Sequence, residues 1–325
     1  MPSLRLQLAD STAPQPRRRQ ILSWVSPGAA SSLVRVTIRP VAVAAALTPL
    51  LTGPRTAGSV LAVFPGAASL CMDTAAGPRI VSLLSLSASG VPNGVRVPLR
   101  VADRPFAALR PGTPATVGAR EILVGGQSYR MTRTWRTAVP SVRLCRQALA
   151  ALAGRLADVA IGVPLQRVRA LGAALAAGDP RSAVRGLVGM GHGLTPGGDD
   201  IIAGTMVGLR AVGRTVLLQQ VRRALGADIA ERTTAVSVDL LRLAAAGQAG
   251  TEALAVLGAL HAARPGISGT SHLDVLDSAV DKLLSIGHTS GADLATGLLL
   301  GLGTADVERP SIPSPRSIPS APVNA

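Results

Sequence analysis

Residues 191–200 read GHGLTPGGDD, and residues 287–293 repeat the same kind of pattern as GHTSGAD. Each stretch places a glycine-histidine loop, a hydroxyl residue and an aspartate directly before an apolar run. The runs themselves align: DIIAGTMVGL from Asp200 and DLATGLLLGL from Asp293 share the pattern D-x-x-x-G-x-x-x-G-L. Glycines four positions apart lie on one face of a helix and let a second helix approach closely. We therefore predict two equivalent helices that pack through their glycine faces, with both preceding loops converging on one pocket.

The start of the first helix has the features of an anion site. Thr195 followed by Pro196 is typical of an N-cap and a first helical residue, and the surrounding glycines leave backbone N–H groups uncovered. Such helix starts attract phosphate or carboxylate groups. The candidate binding residues are the glycines and hydroxyl residues of both loops, namely Gly191, Gly193, Thr195, Gly197, Gly198, Thr289, Ser290 and Gly291.

Acidic and imidazole side chains in the same loops are the catalytic candidates: Asp199, Asp200, Asp293, His192 and His288. An aspartate can orient an amide N–H or accept a proton, and a histidine is a general acid or base near neutral pH. Two alternatives stay open. Asp199 can serve only to stabilise the helix dipole, and Ser290 with Asp293 resembles a capping box.

A third hydroxyl-rich stretch follows between the two loops. Thr233, Thr234 and Ser237 fall on one face of a helix predicted over residues 227–246. Their hydroxyls would either line the pocket as further binding residues or bond to backbone carbonyls one turn earlier. The sequence does not choose between these two roles.

The pattern of residue types along the chain changes near residue 139. Short β-branched runs separated by Gly and Pro precede it, and long runs of helical periodicity follow it. We predict an α+β fold, with a β-rich, antiparallel N-terminal domain (residues 21–138) followed by an all-helical C-terminal domain with paired GxxxG helices (residues 139–305). The basic segment 1–20 and the Pro/Ser-rich tail 306–325 are expected to be disordered.

The formal net charge of +15 invites a nucleic-acid interpretation, which the composition weakens. The excess is almost entirely arginine spread along the chain, and five aromatic residues are too few for base stacking. Cys71 and Cys145 form no metal-binding spacing, and we expect both to be reduced. No secretory signal or membrane span is evident, so a cytoplasmic protein with neither a nucleic-acid nor a membrane partner is expected.

Three motifs together resemble the family of the H-type subunit of bacterial oxamate carbamoyltransferase, long carried as a domain of unknown function. They are GHGLTPGGDDIIAG, RTTAVSVDLL and GHTSGADLATGLLLGL, within residues 187–302. A looser likeness surrounds GVPNG at Gly90–Gly94. The family's first motif reads G-x-G-P-G-L-T-P-S-G-D-D. His192 stands where that motif has proline, and Gly197 stands where it has serine.

This resemblance implies a role in purine (allantoin) catabolism, where a complex of three different subunits converts oxalurate and phosphate to oxamate and carbamoyl phosphate. The expected partners are the other carbamoyltransferase subunits and a small anionic substrate: carbamoyl phosphate, oxamate or oxalurate. Such chemistry often uses Mg²⁺, for which Asp199 and Asp200 are the candidate ligands, and the sequence leaves this open. The alternatives are a non-catalytic scaffold subunit and a metal-dependent amide or phosphate hydrolase.

Overall fold

The computed structural model describes residues 37–263 and 271–305. The segments predicted to be disordered, 1–20 and 306–325, lie outside the described residues, as does the predicted start of the β-rich domain, 21–36. The described N-terminal region contains eight strands: β1 (Thr37–Ala44), β2 (Thr56–Val63), β3 (Ala67–Thr74), β4 (Gly77–Leu84), β5 (Gly94–Arg96), β6 (Pro114–Gly118), β7 (Glu121–Val124) and β8 (Gln127–Trp135).

These strands form a closed barrel in the order β1-β5-β4-β3-β2-β6-β7-β8, with β8 returning to β1. The β1–β8 and β4–β5 pairings are parallel, and the other six are antiparallel. The predicted fold class is therefore corrected, because the N-terminal part is not simply an antiparallel β-rich region. Closure removes the exposed edges of a sheet. Closure depends on the pairing of β1 with β8. These two strands lie far apart in the chain, and no local sequence pattern predicts that they pair.

The barrel core consists mainly of aliphatic side chains, and Phe106 and Tyr129 are buried in it as well. Leu47 and Leu51, from the 3₁₀-helix Ala45–Leu47 and from α1 (Thr48–Thr52), are fully buried in it. Gly125 and Gly126 both have positive φ and form the hairpin that joins antiparallel β7 to β8. A second short 3₁₀-helix spans Val101–Asp103.

Helices occupy the region after the barrel: α2 (Arg146–Leu156), α3 (Leu165–Ala177), α4 (Arg181–Arg185), α5 (Gly197–Ala211), α6 (Thr215–Leu225), α7 (Ile229–Arg232), α8 (Ala235–Ala245), α9 (Thr251–Ala262), α10 (Ser271–Leu284) and α11 (Ser290–Leu302). The single helix predicted over 227–246 is wrong, because the chain breaks between α7 and α8. Thr233, at the break, is extended, and the Thr234 hydroxyl caps α8 by accepting from the Ser237 N–H.

The barrel and the helices meet through a buried ion pair. Arg79 of β4 donates from Nε to Asp239 Oδ1 of α8 at 2.6 Å, and Asn93 Nδ2 donates to Asp239 Oδ2 at 3.2 Å. Asp239 is fully buried. Nearby, Gly90 exchanges hydrogen bonds with the start of α9, donating to Glu252 and accepting from the Thr251 N–H. The GVPNG stretch therefore contributes to the contact between the barrel and the helices. The predicted boundary at residue 139 remains a prediction.

Candidate functional site

The two glycine-bearing helices pack against each other through their bare Cα atoms. A Cβ at Gly204 of α5 would overlap the Leu294 carbonyl of α11, and one at Gly297 would overlap the Ile201 carbonyl of α5. One turn further on, Gly208 and Gly301 face each other in the same way. Contacts advance in the same direction along both helices, so α5 and α11 are parallel and their N-termini lie at one end. The predicted side-by-side packing is confirmed.

Equivalent glycines also begin the two helices. The Gly198 N–H donates to Met190 O at 2.8 Å, and the Gly291 N–H donates to Ile286 O at 3.0 Å. A Cβ on either glycine would overlap a carbonyl of the preceding chain, that of Leu187 or Leu283 respectively. These two glycines therefore serve close packing, and their amides are already bonded within the protein. Hydrogen-bond donors for an anion must therefore come from other residues of the loops.

Other amides of the loops have no backbone partner. Among the described residues, no backbone hydrogen bond is donated by the N–H groups of 191–195 or 287–290. Gly191 and Gly193 are exposed, with positive φ of 116° and 90°. The loops therefore keep free donors at the surface, beside the helix starts rather than at the first-turn glycines.

Thr195 and Pro196 do not begin α5 as predicted. The helix starts at Gly197 with Pro196 as its N-cap, and no side chain caps it. The Thr195 hydroxyl instead lies 3.1 Å from the hydroxyl of Ser290, the first residue of α11. Likewise, α11 has Thr289 as its N-cap without a side-chain cap bond, so Ser290 and Asp293 do not form the predicted capping box. The polar side chains connect the two helix starts to each other.

Asp199 is a structural clamp. Its Oδ1 accepts from the Gly189 N–H at 2.9 Å, and its Oδ2 accepts from the Thr233 hydroxyl. The side chain is 2% exposed. Because both oxygens are used inside the protein, the geometry gives Asp199 no free oxygen for catalysis or for a metal. It ties the loop before α5 to the turn before α8.

Asp200 and Asp293 differ from Asp199, because each keeps a buried Oδ2 that has no hydrogen-bond partner among the described residues. Asp293 is fully buried, and its Oδ1 accepts from the Gly162 N–H at 2.8 Å. Neither aspartate pairs with an Arg, Lys or His of the part of the chain that the structure describes. We call the group formed by Asp200, Asp293, Thr195 and Ser290 the carboxyl cluster.

Burial shifts both carboxyl groups toward their neutral form. It raises the pKa of Asp200 to about 8, and the negative charges of Asp293 and Asp199 act in the same direction. Hydrogen bonds with Ser290 and Thr195 oppose this shift without cancelling it. Burial also raises the pKa of Asp293, against the hydrogen bonds from Gly162 and Thr289. At neutral pH Asp200 therefore carries a proton, so that it can donate as well as accept.

Both candidate histidines lie at the surface. His192 and His288 are exposed, on the loops that precede α5 and α11. Neither imidazole forms a hydrogen bond or an ion pair with the described residues. Their catalytic role stays a prediction.

The hydroxyls of Thr233, Thr234 and Ser237 do not share a helical face. Thr233 bonds to Asp199, and Thr234 donates to the Leu194 carbonyl. Ser237 is buried, and its hydroxyl has no partner among the described residues. None of the three bonds to a carbonyl one turn back, so that alternative is wrong. The two threonines hold the loop 187–195 in place.

Gly162, in the loop between α2 and α3, is the site residue that sequence reasoning missed. It lies outside both repeated motifs, and nothing near it in the sequence indicates a site. Its N–H fixes Asp293 Oδ1, and a Cβ at this position would lie 2.7 Å from Thr289 Oγ1 and 2.8 Å from Asp293 Oδ2. Gly197 has a similar relation, with a Cβ position 2.7 Å from Asp293 Oδ2. A side chain at 197 would therefore require the Asp293 carboxyl group to shift.

The donor set does not fit the predicted Mg²⁺ site. Magnesium is held by free carboxylate oxygens in octahedral geometry, whereas both oxygens of Asp199 accept hydrogen bonds within the protein. Within 37–263 and 271–305, no three His, Cys, Asp or Glu side chains group as metal ligands would. In the same ranges, no helix has the length and apolar character needed to cross a membrane.

The paired helix starts, the Asp199 clamp and the Thr233–Thr234 turn all lie in one continuous stretch of the chain. Residues 187–302 match the family model of oxamate carbamoyltransferase subunit AllH. The resemblance inferred from the three motifs is thereby confirmed over this stretch. The barrel and Gly162 lie outside the AllH-matching stretch. Comparisons with curated proteins and with solved structures found no match.

Proposed function

We propose that this chain is a subunit of an oxamate carbamoyltransferase complex and that its carboxyl cluster binds the reacting amide of oxamate or oxalurate. One observation carries the proposal: two parallel helix starts, joined by the Thr195–Ser290 hydrogen bond, bring together two aspartates. Each of them keeps a buried oxygen that has no hydrogen-bond partner in the part of the chain that the structure describes. The AllH match supports the assignment to this enzyme system. The partners are then the other subunits of that complex.

The chemistry of the carboxyl cluster suits an amide. An amide presents a carbonyl acceptor and an N–H donor close together. A neutral Asp200, whose pKa is raised to about 8, offers an O–H to the carbonyl oxygen, and the Thr195 and Ser290 hydroxyls lie beside it. A second carboxylate nearby provides an acceptor for the N–H. Buried donors and acceptors of this kind discriminate strongly against ligands that leave them unpaired.

Carbamoyl transfer also requires one proton to move. When oxalurate reacts with hydrogen phosphate, a phosphate oxygen bonds to the carbamoyl carbon and the bond from that carbon to the oxamate nitrogen breaks. The nitrogen gains a proton and phosphate loses one. In our proposal Asp200 donates its proton to the leaving nitrogen and recovers one from the phosphate, so the relay leaves it unchanged. A carboxyl group with a pKa near the working pH suits this exchange.

The charged end of the substrate points to the loops in this proposal. The N–H groups of 191–195 and 287–290 have no backbone partners among the described residues, and the positive φ of Gly191 and Gly193 exposes this backbone. Backbone amides of this kind bind carboxylate and phosphate oxygens. His192 and His288 lie on the same loops, where a protonated imidazole would add charge. We therefore assign the small-anion site to the exposed loops and not to the first-turn glycines.

The test is phosphorolysis of oxalurate by the reconstituted complex, measured as carbamoyl phosphate formed. We expect Asp200→Asn to lower kcat at least a hundredfold, because Asn keeps the size but cannot transfer a proton. Asp158→Asn, at an exposed aspartate, is the matched control and should leave kcat unchanged. Full activity of the Asp200→Asn complex would favour a non-catalytic scaffold subunit. That alternative draws support from the amides of Gly198 and Gly291, which are closed within the protein.

A further inference from the structure

An apolar groove lies at the last turn of α11, whereas the carboxyl cluster lies at the first turn of the same helix. The groove has a volume of about 760 Å³ and is bordered by α2, α3, α11 and the start of α6. Four half-buried leucines line it: Leu149, Leu217, Leu299 and Leu300. Leucine side chains left partly in water cost free energy, and an open apolar surface of this size is typical of a docking site.

The last described residues of the chain form part of the groove wall. Thr304 and Ala305 follow α11 directly, and both line the groove. The Thr304 carbonyl accepts from Arg214 Nε at 2.6 Å, and the Ala305 N–H donates to Leu302 O at 3.0 Å. These two bonds fix the chain at the wall, so the residue that follows Ala305 starts beside the leucines.

The charge of the groove is positive. Both charged residues among its described lining are arginines, Arg146 and Arg214. Arg146 is exposed, and its guanidinium forms no hydrogen bond or ion pair with the described residues. The groove therefore combines an apolar floor with an exposed cation at its edge. It fits a segment that carries an apolar side chain next to an acidic one.

The sequence that follows Ala305 has this composition. Residues 306–308 read DVE, with Val307 between Asp306 and Glu308. Because an extended chain spans at most about 3.5 Å per residue, Val307 is tethered within about 7 Å of Ala305. A short tether gives an effective concentration in the millimolar range, so a contact of only millimolar intrinsic affinity is substantially populated.

We propose that this groove is the docking site of the chain's own segment 306–308, in which Val307 covers the leucines and the Glu308 carboxylate pairs with Arg146. The apolar side chain then enters the groove, while the acidic side chain stays at its edge, where the guanidinium is exposed. The segment lies outside the AllH-matching stretch, residues 187–302. Its docking does not depend on the function proposed for the carboxyl cluster, which lies at the other end of α11.

The experiment measures the rate of disulfide formation in a glutathione buffer between one cysteine in the groove and one in the segment. The full chain carries Ala153→Cys, at an exposed position of the groove lining, and Val307→Cys. The native thiols are removed by Cys71→Ser and Cys145→Ser. Since a disulfide needs Cα atoms within about 7 Å of each other, we expect this pair to close within one chain when the segment is docked.

Charge reversal separates docking from the tether. We expect Arg146→Glu to slow disulfide formation about tenfold, because it repels Glu308 and leaves the length of the chain between the cysteines unchanged. Adding Glu308→Arg should restore most of the rate. Arg143→Glu, at an exposed arginine outside the groove lining, is the matched control and should leave the rate unchanged.

Glu308→Arg alone keeps the test decisive if Arg146→Glu does not fold, because it changes no described residue. It should also slow the reaction about tenfold. A positive charge near a thiol favours the reactive thiolate, so a slower reaction in this variant comes from lost docking and not from lower reactivity of the cysteines. Thermal unfolding with the disulfide reduced identifies any variant that misfolds.

Three outcomes would overturn the docking of segment 306–308. Equal rates with and without the charge reversals would show that the tether alone brings the cysteines together. A disulfide that joins two chains, seen as a dimer on a non-reducing gel, would assign the groove to a second copy. If Arg146→Glu leaves the rate unchanged but prevents assembly with the other carbamoyltransferase subunits, the groove belongs to a partner subunit.

Discussion

Thr195 and Ser290 are 95 positions apart in the chain, yet their hydroxyl oxygens lie 3.1 Å apart between the starts of α5 and α11. This bond joins the two copies of the repeated pattern at their polar ends, as the glycine faces join them along their length. The carboxyl cluster is thus formed by both copies together, and neither loop alone would bring Asp200 near Asp293.

The Thr195–Ser290 bond should appear as a coupling energy. We expect Thr195→Val and Ser290→Ala to be non-additive in the free energy of unfolding by about 1 kcal/mol, the usual net value of one hydrogen bond. The measurement is a double-mutant cycle by urea unfolding. Thr195→Val combined with Thr296→Val is the control, because the Thr296 hydroxyl bonds only within its own helix. Equal coupling in both cycles would argue against a specific bond between the loops.

Asp199 and Asp200 are adjacent, and we expect the same substitution by asparagine to change the stability of the protein in opposite directions at the two positions. Asp199→Asn replaces an acceptor of two hydrogen bonds by a side chain that can accept only one of them. We expect it to destabilise the protein by about 2–4 kcal/mol. Asp200→Asn should stabilise it at pH 8, because it removes a carboxyl group that burial disfavours in its charged form. Melting temperatures at pH 8 compare the two, and the same sign for both would contradict this difference.

The stability should also depend on pH through Asp200. Its folded pKa of about 8 lies above the ordinary value of 3.8 for an aspartate, so the folded state binds the proton more tightly. Stability is then lost as pH rises from about 4 to about 8, since only the unfolded chain releases the proton in this range. At about 1.4 kcal/mol per pKa unit, the loss amounts to a few kcal/mol. In urea unfolding, Asp200→Asn should flatten this slope, and Asp158→Asn should keep it.

The glycine faces predict a strong position dependence for alanine. Gly204→Ala and Gly297→Ala each place a methyl group on a backbone carbonyl of the facing helix, and we expect each to cost about 3 kcal/mol or more. Gly258→Ala is the matched control, because Gly258 is exposed in α9 and a Cβ there meets nothing within 4 Å. It should stabilise the protein by up to about 1 kcal/mol. A loss of similar size at Gly258 would mean that the effect does not come from the packing of α5 against α11.

The ion pair between the barrel and α8 should be costly to break from one side. Arg79→Ala leaves Asp239 fully buried without its cation, and we expect a loss of about 3–5 kcal/mol. Adding Asp239→Asn should recover part of this loss, since the amide is neutral and keeps an acceptor for Asn93. Arg55→Ala, at a more exposed pair with Glu121, should cost about 1 kcal/mol or less. A double variant no more stable than Arg79→Ala would contradict this account.

Much of the candidate site could be predicted because its signals are local. The repeat of glycine, hydroxyl and aspartate positions indicates two equivalent helices, and glycines spaced four apart have one steric consequence wherever they occur. The carboxyl cluster joins Asp200, Thr195, Ser290 and Asp293, all of them candidates from the motifs. The hairpin at Gly125 and Gly126 follows from the same kind of local signal, a need for positive φ.

The roles within the site could not be predicted, because adjacent residues in a helix point in different directions. Asp199 and Asp200 have identical side chains in adjacent positions, so the sequence does not distinguish their roles. Only the packed structure places Thr233 and the Gly189 N–H on one of them and leaves an open oxygen on the other. Similarly, the amides of Gly198 and Gly291 suit an anion in the sequence, but the folded loops supply them with carbonyls.

The sequence by itself determined the elements whose causes are local: the paired helices, their glycine faces, and strands before helices. Tertiary structure alone decided the closure of the barrel through β1 and β8, the position of Gly162 beside Asp293, and the burial that raises the pKa of Asp200. The physical reason is the range of the interactions. Helix and turn preferences act over a few residues, whereas strand pairing and desolvation depend on groups far apart in the chain that only folding brings together.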